Sequence, residues 1–187
     1  MKTKTKYKIT LIKFIKYLHL INMMRYKNFL LCTKAGIPFV GLFHDISLYS
    51  KDEFWENVKY FNQKLDSTKN AKIEQGYSKA WLHHVGHNKY EYLYWYDETA
   101  INKTPIIPYK YVIEMVCDDL TKGIIRQGKN WDENYPINNW LNNRNEDMIN
   151  KKIDKIVTRI YMDISKKGID SVIKKEYLHT IYNKEIK

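Results

Sequence analysis

The chain has 187 residues, of which 44% are hydrophobic and 28% are charged. This length fits one domain, and the composition supplies a hydrophobic core and excludes wholesale disorder. The formal net charge of +11 points to an anionic partner, although only four of the 32 basic residues are arginine, the residue best suited to bidentate phosphate contacts.

The excess positive charge is concentrated at the N-terminal end of the chain. Residues 1–44 contain nine Lys or Arg and no Asp or Glu, whereas the remaining 143 residues carry 23 basic and 21 acidic side chains. The body of the protein is therefore almost neutral, and the excess positive charge lies mainly in and before the predicted first helix.

The N-terminal stretch predicts an amphipathic helix rather than a signal peptide or a membrane span. The apolar run 9–24 is too short for a span, Lys13 and Lys16 interrupt it, and no small-x-small cleavage site follows. At helical spacing one face carries Leu11, Phe14, Ile15, Leu18, Ile21 and Asn22. Such a helix is either the first helix of the core or a basic segment that lies on a membrane surface. We expect a basic extension over residues 1–18 and a helical domain over residues 19–187.

Helical patterns continue through the first half of the chain. A capping box from Ser50 to Glu53 starts one helix, and Ser78 is the expected N-cap of the next. The predicted elements are a helix at 9–34, a break at 35–38, a short apolar segment at 39–43, a helix at 53–64, a polar loop at 66–76 and a helix from 78 to about 86.

The second half is also predicted to be helical. Pro108 and Gly123 are the expected start and end of one helix, and Asp170 is the expected cap of the last. The predicted elements are a Tyr-rich connection at 90–104, a helix at 108–123, a short helix starting at 134–136, a long amphipathic helix from 149 to 168 and a final helix after 170. The sequence thus predicts one all-α domain.

The two cysteines, Cys32 and Cys117, lie within apolar helical patterns and have no CxxC partner. We expect buried free thiols in a reducing compartment, and hence a cytoplasmic protein. The chain has no P-loop, GxGxxG or GxSxG pattern, which argues against P-loop NTPases, classical dehydrogenases and α/β-hydrolases.

The dipeptide His44-Asp45 is the first candidate for a site. An imidazole and a carboxylate are both good ligands for a divalent cation, while the alternative is a helix terminus at which Asp45 caps the next turn. Glu114 and Asp118 lie four residues apart and so share one face of a helix. The other candidates along the chain are His19, His83 and His84.

A helical chain with an early His, a His-Asp pair, further His and a late Asp resembles the HD superfamily of metal-dependent phosphohydrolases. The resemblance implies an HD-like bundle in which one or two divalent ions (Mn, Fe, Zn or Mg) activate water for attack on a phosphate ester, for example of a nucleotide. The implied metal ligands are His19, His44, Asp45 and Asp118, with His83 or His84 serving a second metal or the phosphate. The implied catalytic groups are His84 and Glu114, and the candidates for contact with a small phosphorylated substrate are Lys79, Lys110, Tyr26 and Glu91.

A closer resemblance exists to an uncharacterised family, domain of unknown function 5662, which occurs in bacteria and their phages. It covers residues 19–145 in consistent order. The segments that carry it are 19–22, 35–37, 41–47, 49–50, 53–55, 76–78, 80–84, 88–89, 94–95 and 110–115.

The sequence departs from the usual pattern of that family at four positions, occupied here by Tyr26, Leu48, Tyr90 and Glu91. The family usually has His at three of them and Lys at the position of Leu48. A second interpretation is therefore a catalytically degenerate member that binds an anionic ligand or a partner protein. A third is nucleic-acid binding through the Lys-rich end, which the scarcity of Arg makes the least favoured.

Overall fold

The described residues, 7–62 and 67–187 of a computed structural model, form ten α-helices, and no strand lies among them. The prediction of a single all-α domain is confirmed. The helices are α1 (Leu11–Lys34), α2 (Pro38–Phe43), α3 (Lys51–Tyr60), α4 (Ser67–Gln75), α5 (Lys79–His87), α6 (Tyr109–Gln127), α7 (Tyr135–Asn143), α8 (Lys151–Lys167), α9 (Ile169–Val172) and α10 (Lys175–Ile186).

One predicted loop is wrong. Residues 66–76 were expected to be irregular because they are polar, yet α4 occupies most of them and packs against α3. Ala71 is fully buried, and the side chain of Asn70 donates to the backbone carbonyl of Tyr60. Contacts with α3 thus override the polar pattern. The helix predicted at 53–64 ends at Tyr60, and residues 63–66 lie outside the described part of the chain.

Two predicted helix boundaries are also wrong. Helix α6 continues past Gly123 to Gln127, because this glycine serves side-chain packing and not termination. A Cβ atom built at Gly123 would lie 2.9 Å from Cε1 of Tyr135. Asp170 lies within the short helix α9, so it does not cap α10, which begins at Lys175.

The buried face of α1 matches the predicted one only in part, since Ile21 is buried and Phe14 and Leu18 are partly buried. Leu11 and Ile15 are 73% and 56% exposed, although they were expected to face inward. The residues of α1 that are buried are Tyr17, Ile21, Met24, Asn28 and Cys32. Helix α1 contacts α2, α6 and α3. Its buried stripe includes the polar Asn28, which a purely apolar pattern misses.

Helix α6 lies at the centre of the molecule and contacts α1, α2, α7, α8 and α10. Its apolar side joins the isoleucine face of α8 in the main core, where Cys32 and Cys117 are buried as free thiols, as predicted. A second, smaller core lies between α1 and α3 and consists of Tyr17, Ile21, Phe54, Val58 and Phe61. Two polar residues of α6, Glu114 and Asp118, instead face the segment that follows α2.

None of the described helices is long and apolar enough to cross a membrane. Lys2, Lys4 and Lys6 of the basic extension lie outside the described residues, whereas Lys8 is exposed just before α1.

Gly41 allows α2 to pack closely on α1. A Cβ atom at this position would lie 2.5 Å from Cβ of Cys32 and 3.2 Å from the backbone of Phe29, distances at which something must move. Because His44 follows α2 directly, this close packing also determines where the His-Asp pair enters the core.

We expect the substitution Gly41→Ala to lower the free energy of unfolding by about 1–3 kcal/mol, since the added methyl group overpacks the contact between α1 and α2. Gly86→Ala is the matched control, because Gly86 is also helical and has no atom within 4 Å of the position that the new methyl group would take. There the better helix propensity of Ala should raise stability by up to about 1 kcal/mol. Urea denaturation followed by circular dichroism measures both, and equal effects of the two substitutions would contradict the packing argument.

Candidate metal centre

The His-Asp pair lies in a sharp turn after α2. Asp45 has φ = +55°, and it is the only residue other than glycine with a positive φ in the described part of the chain. Asp tolerates this left-handed conformation better than most residues. Arg25 on α1 holds the turn, since its Nε donates to the carbonyl of His44 and its Nη2 to that of Leu42, both at 2.9 Å. The turn directs both side chains inward, where each residue is 2% exposed.

The imidazole of His44 lies between two carboxylates of α6. Its Nδ1 is 3.0 Å from Oε1 of Glu114, and its Nε2 is 3.2 Å from Oδ1 of Asp118 and 3.4 Å from Oδ2 of Asp45. One ligand atom from each of His44, Asp45 and Asp118 lies within 4.8 Å of the others. Glu114 and Asp118 reach the two nitrogens of the same ring because they are one helical turn apart.

This donor set suits a divalent metal ion. Imidazole nitrogen and carboxylate oxygen are ligands of Zn²⁺, Mn²⁺ and Fe²⁺. Glu114 occupies the position of the carboxylate that usually orients a metal-bound imidazole from its other nitrogen. Burial and the neighbouring carboxylates Asp45 and Asp118 raise the pKa of Glu114.

Lys122, one turn beyond Asp118, is the cation closest to the centre. Its ammonium group is 2.5 Å from Oδ2 of Asp118. Burial opposes the ionised form of Asp118, but Lys122 and His44 outweigh it and lower the pKa of Asp118. Burial also tends to raise the pKa of Asp45. The charges of His44, His84 and Lys122 outweigh it and hold the pKa of that carboxyl well below its usual range.

A second group of side chains adjoins Asp45. The hydroxyl of Tyr90 donates to Oδ1 of Asp45, and it lies 2.8 Å from Nε2 of His84. Nδ1 of His84 is 2.8 Å from Oε2 of the fully buried Glu53. Burial alone would lower the pKa of His84, but the hydrogen bond with Glu53 and the carboxylates of Glu91 and Asp45 raise it to about 10. These neighbours therefore favour the protonated form of His84.

Asp45, His84 and Lys122 line a pocket of about 240 Å³. Much of the rest of its lining is apolar or aromatic, and Arg126 adds a second cation. The remaining lining residues are Tyr17, Leu20, Ile21, Met24, Leu48, Glu53, Asn57, Ser67, Thr68, Ala80 and Trp81. The pocket thus combines buried carboxylates, two cations and an apolar surface.

The structure brings together most of the predicted site residues. His44, Asp45 and Asp118 form the group of potential ligands, Glu114 contacts His44, His84 lies next to Asp45, and Glu91 contacts His84. His83 does not join this group, because adjacent helical residues point in different directions. Its Nδ1 is 2.7 Å from Oε1 of Glu53 instead.

Four predicted site residues lie away from both the centre and the pocket. His19 and Tyr26 are exposed on α1, each two positions after a buried residue of the inward stripe and so on the opposite side of the helix. Lys79 is exposed at the first position of α5. Lys110 is exposed as well, with its ammonium group 4.8 Å from the centroid of the Tyr111 ring. Because His19 is exposed, only three of the four ligands implied by the HD resemblance, His44, Asp45 and Asp118, come together.

Sequence reasoning missed four residues that surround the centre: Arg25, Glu53, Lys122 and Arg126. Lys122 was detectable, since it follows Asp118 by four residues. The sequence identifies Glu53 only as part of a capping box. Glu53 indeed lies in the first turn of α3, where its backbone N–H donates to the hydroxyl of Ser50. No local pattern marks Arg25, whose partners are backbone carbonyls of another element.

The sequence profile of one family, described as "Family of unknown function (DUF5662)", matches residues 9–163. The matched region includes every residue of the candidate centre and of the pocket. Comparisons with curated proteins and with solved structures yield no match. The closer of the two predicted resemblances is thereby confirmed, while the resemblance to HD phosphohydrolases stays a hypothesis.

We expect Arg25→Lys to lower the free energy of unfolding by about 1–3 kcal/mol, because a lysine cannot reproduce the two hydrogen bonds that one planar guanidinium gives to the carbonyls of His44 and Leu42. Arg159→Lys is the matched control, since Arg159 is 62% exposed and pairs with Asp163 on the same helix. Its cost should stay below about 0.5 kcal/mol. If thermal and chemical denaturation gave both variants the same stability, the proposed anchoring of the turn by Arg25 would be wrong.

Proposed function

We propose that this chain, which belongs to the DUF5662 family of unknown function, binds a divalent metal ion through His44, Asp45 and Asp118 and hydrolyses a phosphate ester. The observation that carries the proposal is the buried convergence of these three potential ligands, within 4.8 Å of one another, beside a pocket that also contains two cations. The HD-like mode of action, in a bundle of helices, is part of the same proposal.

The charge of the centre supports a bound cation. Five carboxylates lie around His44 and His84, and they belong to Asp45, Glu53, Glu91, Glu114 and Asp118. Lys122 is the lysine in contact with them. Buried carboxylates are costly unless they are paired or coordinate a metal. A divalent ion at this point would offset two of the negative charges.

The metal ion, when bound, would polarise the phosphoryl oxygen and lower the pKa of a water molecule, which provides a nucleophile at neutral pH. Glu114 would keep His44 oriented through Nδ1 and so leave Nε2 for coordination. His84 holds a proton next to Asp45 and is the group best placed to give it to a leaving oxygen. Tyr90, hydrogen-bonded to both, fixes the orientation of His84 relative to Asp45.

Lys122 and Arg126 would bind the phosphate group. Lys122 and Arg126 line the pocket, whereas the predicted Lys79 and Lys110 do not. Lys122 and Arg126 therefore take over the role that was predicted for Lys79 and Lys110. The apolar and aromatic residues of the lining, which include Tyr17 and Trp81, would accept the organic part of the ester.

Binding of an anionic ligand without turnover is the second candidate function, and Tyr90 is the observation in its favour. Its hydroxyl donates to Oδ1 of Asp45 and thereby occupies one of the oxygens that a metal would use. Leu48 lines the pocket and provides no charge for a phosphate. Under this interpretation a phosphorylated ligand raises the melting temperature, but no product forms. Nucleic-acid binding gains no comparable support from the described residues.

We expect Asp45→Asn to lose about one equivalent of divalent metal and all hydrolytic activity, because the amide keeps the shape of the side chain but removes its charge. The control is Asp147→Asn, an exposed carboxylate outside the centre. Metal content is measured by elemental analysis after incubation with Mn²⁺ or Zn²⁺ and desalting, and activity with a panel of phosphate monoesters and nucleotides. Absence of metal from the parent protein would overturn the metal proposal, and metal without turnover would favour the second candidate.

We expect Arg126→Gln to raise KM for an accepted phosphate ester about tenfold and to leave kcat within about twofold, because a charged contact to the ground-state phosphate is lost. Lys110→Gln removes an exposed cation outside the pocket and should leave KM unchanged. Equal effects of the two substitutions on steady-state kinetics would contradict the assignment of Arg126 to phosphate binding.

A further inference from the structure

A pair of histidines on α5 lies outside the centre described above. The sequence predicts that this helix ends at about residue 86, but α5 continues through His87, so His83 and His87 are one turn apart on the same face. Their rings stack in parallel, with centroids 3.8 Å apart and an angle of 11° between the planes. His83 is 22% exposed and His87 is exposed to solvent.

Hydrogen bonds fix the same tautomer in both rings. Nδ1 of His87 is 2.8 Å from the backbone carbonyl of His83, which accepts only, so this nitrogen carries the proton. Nδ1 of His83 is 2.7 Å from Oε1 of Glu53, and a carboxylate likewise accepts. In the neutral form of each ring, the lone pair therefore lies on Nε2. This is the arrangement by which proteins prepare a histidine for metal binding from its far side.

A carboxylate completes the set of donors. Oδ2 of Asp52, at the start of α3, lies 3.9 Å from Nε2 of His83. Asp52 is 73% exposed, so its side chain is free to rotate towards an ion held at the Nε2 edges of the two rings. Two imidazoles and one carboxylate, with water as the fourth ligand, are a common set for Zn²⁺.

We propose that His83, His87 and Asp52 form a second metal site, at the surface between α3 and α5, for a transition-metal ion such as Zn²⁺. Imidazole ligands favour Zn²⁺, Ni²⁺ and Cu²⁺ over Mg²⁺. The site does not depend on the proposed phosphohydrolase activity, since it shares no ligand with His44, Asp45 and Asp118. It is nevertheless connected to the pocket, because the two oxygens of Glu53 contact His83 and His84 separately.

The test is a calorimetric titration of the full-length chain, free of any histidine tag, with Zn²⁺. We expect His87→Gln to remove one class of Zn²⁺ site or to weaken it at least tenfold. Glutamine is a good helix former, and position 87 is exposed, so the fold should be retained, which circular dichroism checks. His19→Gln is the matched control, because His19 is also exposed and helical; it should leave the titration unchanged.

Two further arms separate this proposal from the central site. Asp52→Asn should weaken the same class of Zn²⁺ site, and saturating Mg²⁺ should not displace Zn²⁺ from it. If the central site binds no metal, the parent chain still shows one Zn²⁺ site, and His87→Gln still removes it. Identical isotherms for the parent chain and His87→Gln, or full displacement by Mg²⁺, would overturn the proposal.

Discussion

The contact between His44 and helix α6 is the interaction on which the candidate site depends. One imidazole joins two segments that are far apart in the sequence, because Glu114 and Asp118 of α6 approach its two nitrogens while Asp45 follows it in the chain. The contact needs α2 to lie close to α1, which Gly41 allows, and needs a turn whose backbone carbonyls Arg25 holds. A buried imidazole between carboxylates is stable only if protons or a metal ion balance the charge.

The arrangement around Asp45 also shows how a nearly neutral body contains a strongly acidic interior. The net charge of +11 describes the whole sequence, but its excess lies in residues 1–44. Behind the surface, five carboxylates meet a lysine and two histidines. Overall charge is therefore a poor guide to the chemistry of this pocket.

Patterns with a helical period predicted the fold class, the start of α3 and α5 at Ser50 and Ser78, and the shared face of Glu114 and Asp118. These features depend on neighbours within one or two turns. The prediction failed where tertiary packing decides: α4 forms in a polar stretch, Gly123 lies inside a helix, and His19 faces solvent. The role of Arg25 could not be predicted from the sequence either, because its partners are main-chain oxygens of another element. The pair Asp118 and Lys122, in contrast, has a local signal that sequence reasoning overlooked.

The backbone at Asp45 has a consequence for how this position can vary. Its left-handed conformation restricts the residue to those with little steric cost there, chiefly Gly, Asn and Asp. Its carboxylate also lies 3.4 Å from Nε2 of His44, where a negative charge favours the protonated imidazole. Asparagine and glycine tolerate this backbone conformation but carry no charge, whereas glutamate carries the charge at a higher steric cost. Aspartate therefore combines a low steric cost in this conformation with a negative charge next to His44.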